Sequence, residues 1–359
     1  MTTGVNQRWA WRCFFDAPIA LLLMCVVTGW LVPDFSTQYA GWPFVISLFV
    51  VGMPHGAVDF LLNAKLKSAG RFGKQVQAFT WYVTILAGGV LALIVFPRLT
   101  LLLFAIASAQ HFGTADARML DWRFQTSVPR RIRRCSAFAR GVTILALPFV
   151  FFPDESVSVI NAVTQLVSAA PLIVAGEAIA YLATACVIVA LASLLVSTTY
   201  RTFTGQLRVA LVEWLEITVI AAAFWLLHPL FAMGLYLLTW HAWRHLYLVA
   251  PLLDSQPRRG NLHELFRCVG RLHVHSLPLL LPTLVLFGVI ALWKLPVWDS
   301  FHLAALAIAT FVVVTLPHHL LVERLFESRR PRQDWTENEN ASRHQHSNAT
   351  ALEGRGAPG

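Results

Sequence analysis

The chain has 359 residues, of which 13% are charged and 57% hydrophobic, and its mean hydropathy is +0.60. Soluble domains carry about 25% charged residues to cover their surface. A soluble globular enzyme, a disordered protein and a coiled coil are therefore excluded, and an integral membrane protein crossing the bilayer several times remains. The net charge of +9 reads as topogenic Lys and Arg rather than as a nucleic-acid surface, so no nucleic acid is expected as a partner.

A spanning helix needs about 20 apolar residues. In chain order the qualifying stretches are 17–32, 43–63, 77–96, 99–117, 137–152, 170–196, 208–227, 229–250, 276–294 and 301–323. The first and fifth are short, and residues 157–169 extend the sixth or lie at the interface, which gives a range of eight to ten spans. The expected fold is an all-α polytopic membrane bundle of about ten helices. Residues 1–16 form a cytoplasmic N-terminus, 17–325 a single transmembrane domain with an intramembrane metal site, and 326–359 a polar, disordered cytoplasmic tail. The apolar run after Arg8 and Arg12 lacks a small-residue cleavage site and reads as an uncleaved first span. Five well-separated cysteines, with no C-x-x-C pair, make neither a disulfide framework nor a zinc ribbon.

With ten spans and a cytoplasmic N-terminus, 25 of the 28 basic residues fall on the inner side. The outer side receives Arg98 and Lys294, and Arg244 lies inside a span. This asymmetry predicts a multi-pass protein of the cell (inner) membrane with both termini cytoplasmic.

Against the scarcity of charge stand 13 histidines. His55, His111 and His241 are each the thirteenth residue of an inward-running span, and His245 lies one turn deeper than His241. At about 1.5 Å per residue they share one depth, just inward of the midplane. His318 and His319 follow near the inner end of the last span, and odd-numbered spans hold no histidine. Asp59, Asp116, Glu213, Glu216 and Arg244 cluster at a similar depth, and intramembrane ionisable groups are functional candidates. A single such histidine reads as a packing hydrogen bond; several at one depth read as one shared site. The remaining seven, at 228, 263, 273, 275, 302, 344 and 346, read as solvated, with His263, His273 and His275 in a basic inner loop.

His241 and His245 are i and i+4, about 40° apart on one face, and both can reach one metal. Asp59, i+4 from His55, can take the second ring N–H of that histidine, as carboxylates do for ligating imidazoles. Asp116 can serve His111 in the same way only where Gly113 loosens the helix. Pro54 and Pro317 immediately precede histidines and can re-aim them. Arg244 is expected to pair with Glu213 or Glu216. Of His318 and His319, about 100° apart, only one can face a common centre. Nitrogen-only ligation suits zinc, copper, iron or nickel. An octahedral ion with four histidines keeps two open positions, which favours redox iron over tetrahedral zinc; spacing alone leaves the metal open.

The segments Gly52-Met-Pro-His55-Gly-Ala-Val-Asp59, Gln110-His111-Phe-Gly-Thr-Ala-Asp116, Trp240-His241-Ala-Trp-Arg-His245 and Pro317-His318 resemble those of the Brp/Blh family of membrane β-carotene 15,15′-dioxygenases, over residues 40–325. The resemblance implies Fe(2+) held by His55, His111, His241 and His245, with Asp59, Asp116 and His318 as supporting or additional groups and no catalytic group beyond the metal ligands. It implies β-carotene and O₂ as substrates, two retinal molecules as products, the lipid bilayer as solvent for the substrate, and a retinal-binding protein downstream. Phe112, Trp240 and Trp243 are the aromatic residues expected to line a polyene tunnel. Three other readings remain. A membrane iron hydroxylase or desaturase would use more histidines for two metals. A proton or divalent-metal transporter would show repeats or broken helices. A non-catalytic assembly factor for a retinal protein would keep the fold without needing the metal.

Overall fold

The computed structural model describes residues 9, 11–57, 72–167, 170–171, 175–249, 262–295 and 299–328. Among the described residues every regular element is helical. In order these are α1 (Arg12–Leu31), α2 (Asp34–Gln38), α3 (42–57), α4 (Phe72–Val95), α5 (Pro97–Phe124), α6 (Arg130–Phe151), α7 (Pro153–Gln165), α8 (Gly176–Phe203), α9 (Leu207–Leu226), α10 (229–249), α11 (Leu262–Lys294) and α12 (Ser300–Ser328). The chain divides into one compact unit of residues 1–318 and a second of 319–359. The polar tail from 329, with His344 and His346, and residues 1–8 lie outside the described residues.

Helix ends follow local chemistry. Proline opens α5, α7 and the first segment of α10 (Pro97, Pro153, Pro229), where its missing N–H is no loss. Gln125, in the left-handed region at φ 52°, closes α5 with its N–H on Asp121 and Trp122 carbonyls.

The described part of each of the ten apolar stretches carries a helix, but the boundaries move. α1 starts at Arg12, α6 at Arg130 and α11 at Leu262. His263, His273 and His275 therefore sit on a helix, not in a loop, and His273 is half-buried. Residues 153–165 form a separate helix, α7, rather than an extension of the sixth stretch. Among the described residues five helices (α1, α6, α8, α9 and α11) are long and apolar enough to cross a membrane, against the ten expected. The apolar helices Trp42–Gly52, Thr80–Val95 and Ser300–Thr315 are shorter. α5 is long, but Arg98, Asp116, Arg118, Asp121 and Arg123 interrupt its apolar run.

This is a membrane protein by its surface as well. Leu182, Ile188, Val189 and Leu195 of α8, and Leu281, Val285, Val289 and Leu292 of α11, are all exposed. Water would not tolerate such stripes; lipid does. Inside, Leu22, Phe44, Leu48, Phe224, Tyr236, Trp240 and Phe311 share one core cluster. α6 packs along both α5 and α8, α1 along α9, and the start of α10 against the start of α3. The α5–α6 crossing is backbone on backbone. A Cβ at Gly113 would fall 1.8 Å from the Ala137 carbonyl oxygen, and one at Gly141 equally close to that of Ala109. Small residues permit such crossings in lipid. Gly113 does not loosen α5, which runs unbroken through it.

Candidate metal centre and its ionic support

α5, α10 and α12 bring four imidazoles together. His111, His241, His245 and His318 are all buried. The ring centre of His111 lies 5.0 Å from that of His241, 6.1 Å from His245 and 4.9 Å from His318. His245 lies 6.1 Å from His241 and 5.3 Å from His318. Of the Pro-His-His run, His318 is buried with its ring beside those of His111 and His245. The side chain of His55, and the whole of Asp59, lie outside the described residues. The backbone that carries His55 belongs to Met53–Ala57 of α3, and a Cβ on its neighbour Gly56 would meet His318 Nδ1 at 3.7 Å.

Two widened turns accompany the histidines. Leu48–Gly52 of α3 and Tyr236–His241 of α10 are π-helical, as is Arg12–Asp16 at the start of α1; the register is uncommon in proteins and frequent at functional sites. In α3 the widened turn stands just before Pro54, which offers no N–H to the carbonyl of Val50. In α10 it ends on His241 itself.

The donor set fits a borderline transition metal, since imidazole suits iron, copper, nickel and zinc alike. With metal–nitrogen bonds near 2.1 Å, two rings sharing one ion have centres roughly 4.7 Å apart at a right angle and roughly 6.6 Å apart when opposed. The observed separations fall in that interval. Among the described residues, no three His, Cys, Asp or Glu side chains already form a ligand group. The near-parallel rings of His241 and His245, inclined by 9°, must turn before their nitrogens meet at a common point.

Beside the imidazoles runs a buried chain of ion pairs, of which sequence reasoning had the Arg244–glutamate link and missed the rest. Arg201 Nη2 donates to Asp121 at 2.7 Å, and its Nε lies 3.4 Å from Glu213. Glu213 also meets Arg140 at 3.4 Å and accepts from the Ser136 hydroxyl. Arg140 Nη1 donates to Glu216 at 2.8 Å, and Arg244 Nη2 donates to the other Glu216 oxygen at 2.7 Å. Arg244 then approaches Asp116 at 3.9 Å. The three guanidiniums and the two glutamates are 0–2% exposed. Of the two partners expected for Arg244, Glu216 is the one taken. Arg140 and Arg201, counted as inner topogenic charges, are instead interior structural charges. The spacing of Arg133, Ser136 and Arg140, matched by Glu213 and Glu216, was the available signal: steps of three and four place such groups on one helix face.

Asp116 ends this chain at the histidines. Its Oδ2 accepts from Trp240 Nε1 at 3.1 Å and Tyr236 Oη at 3.3 Å, both on α10. The expected aromatic tunnel is redistributed. Trp240 is fully buried with Arg244 stacked 3.7 Å over its ring. Trp243 turns to α1, donating to the Cys13 carbonyl at 3.0 Å. Phe112 alone stays at the cluster, 4.5 Å from the His241 ring and 5.9 Å from that of His111.

The fold and site define a helical membrane protein with a buried imidazole cluster. The family model for beta-carotene 15,15′-dioxygenase matches residues 46–326, a span that contains all of these histidines, and the chain belongs to that family. It is 27% identical over 322 residues, 85% of this chain and 88% of the relative, to the probable beta-carotene 15,15′-dioxygenase Blh of Halobacterium salinarum. No solved structure matches the chain.

Proposed function

We propose that the protein is a non-haem iron dioxygenase that cleaves β-carotene at its central 15,15′ double bond into two all-trans-retinal molecules, both oxygen atoms coming from O₂. His55, His111, His241 and His245 hold Fe(2+), with His318 beside them. The observation that carries this reading is the gathering of four buried imidazoles from three helices, in a chain of this family. When bound, the iron supplies activation of dioxygen for addition across a carbon–carbon double bond.

The protein's own residues do the placing. An apolar polyene dissolves only in the bilayer, so an enzyme for it gains by placing its centre among lipid-facing helices. Phe112 presents a flat apolar ring beside His111 and His241 and orients the polyene there. The buried setting of the cluster keeps bulk water from the cleaved bond. No protein acid or base is required, because scission of the double bond by O₂ yields two aldehydes without net proton transfer. Both termini face the cytoplasm, and residues 17–325 form the membrane domain.

Expression in carotene-producing bacteria tests the reading: loss of orange colour with retinal appearing supports it. The purified protein should hold one iron per chain, and His111→Ala should insert normally yet lose both iron and product. Two irons per chain, apocarotenals of unequal length, or full activity in His111→Ala would overturn it.

A further inference from the structure

Asp116 lies on α5 five residues after His111, and α10 supplies side chains that bond to it. Three α10 side chains converge on it: Tyr236, Trp240 and Arg244. Along a regular helix Tyr236 and His241 would face different directions. The π-helical turn Tyr236–His241 changes that, and the two rings lie 6.2 Å apart, inclined by 26°. One carboxylate therefore grips the distorted turn that delivers His241 while standing on the helix that delivers His111.

The grip is itself braced. Arg244 sits between His241 and His245 in sequence, stacks on Trp240 and is anchored to Glu216. Trp240 and Tyr236 are fully buried, so neither ring can swing away without opening the core.

We propose that Asp116 is a positioning residue: by holding Tyr236 and Trp240 it fixes the widened turn of α10 and so sets the separation of His241 from His111. The proposal rests on the reading of these histidines as metal ligands, but the clamp has a readout that needs no metal. A structural role spread evenly over the fold would not single out this turn. A clamp does.

The test compares the full-length wild type, Asp116→Ala, Asp116→Asn and Trp240→Phe in detergent. Two measurements are made on each: amide hydrogen exchange of the segment 236–245 and affinity for cobalt(II), followed by its visible absorption. In Asp116→Ala the segment should exchange about tenfold faster and cobalt(II) should bind about tenfold more weakly, the lower end of the loss seen when ligand-orienting groups are removed. Asp116→Asn, which still accepts from Trp240 and Tyr236, should recover most of both. Trp240→Phe removes one donor and keeps a ring under Arg244. It should shift both readouts in the same direction, and the double variant D116A/W240F should be no worse than D116A, because the two residues act as one unit. Unchanged exchange and cobalt affinity in D116A, or strictly additive losses in the double variant, would overturn the proposal. If D116A does not fold, Trp240→Phe decides by the same two readouts. If the wild type takes up no metal, the iron reading falls while the exchange of 236–245 still decides the clamp.

Discussion

The imidazole cluster and the ionic chain share helices α5 and α10 and are both buried, yet they are built on opposite rules. The chain is closed: carboxylates and guanidiniums answer one another from Asp121 to Asp116. The cluster is nitrogen alone. A guanidinium cannot shed its charge, so burial obliges it to find carboxylates. An imidazole can be neutral, so several can share a dry interior. The difference separates a part that holds the helices from a part that acts.

Mutations should expose that division. The largest expected effect is on activity: His245→Ala should abolish retinal formation and iron retention while thermal unfolding in detergent moves little. A large fall in stability with iron retained would erase the distinction. Next comes Glu213→Ala, which leaves Arg140 to Glu216 and Arg201 to Asp121 and should cost about 2–3 kcal/mol of stability through the lost charged hydrogen bonds, measured by thermal unfolding at saturating detergent. Gly113→Ala drives a methyl into the Ala137 carbonyl and should cost about 1–3 kcal/mol by overpacking, with iron content falling because His111 moves with α5.

The smallest effect lies away from both regions. His228 caps the start of α10, its Nδ1 accepting from the Leu230 N–H at 3.3 Å. Burial holds its pKa below the ordinary 6.5, against a smaller upward pull from Glu155. The unfolded chain then binds the proton more readily, so stability falls as pH drops below about 6.5. Protonation also turns the accepting nitrogen into a donor. The loss should be about 1 kcal/mol, the worth of a helix cap. His228→Asn, which keeps an acceptor, should flatten it in unfolding scans between pH 7 and pH 5, a window set about the ordinary imidazole value.

Much of this was legible beforehand, and the failures have physical causes. Hydropathy places every long helix because lipid contact demands apolar runs. Counting residues along parallel spans puts His111 and His241 at one depth, and the structure brings their rings to 5.0 Å. Sequence reasoning failed where a charge has two physical uses. Arg130, Arg131, Arg133, Arg134 and Arg140 read as one topogenic patch, but Arg130 and Arg131 are exposed while Arg140 is sealed inside. The π-helical turns were invisible because side-chain periodicity over five or six residues does not distinguish them from ordinary helix. Trp240 was misplaced because an aromatic beside a histidine suggests substrate contact, whereas its indole N–H was already committed to Asp116.

The ionic chain also dictates an order of events during synthesis. Arg140 is 73 and 76 residues ahead of the glutamates it pairs with, and Asp121 is 80 residues ahead of Arg201. At roughly 5–20 residues per second, the first members wait about 4–16 seconds for their partners to leave the ribosome. A lone guanidinium or carboxylate in hydrocarbon is expensive throughout that interval. The pairing of Arg140 with the glutamates of α9, and of Arg201 on α8 with Asp121, therefore favours these helices packing together as they enter lipid.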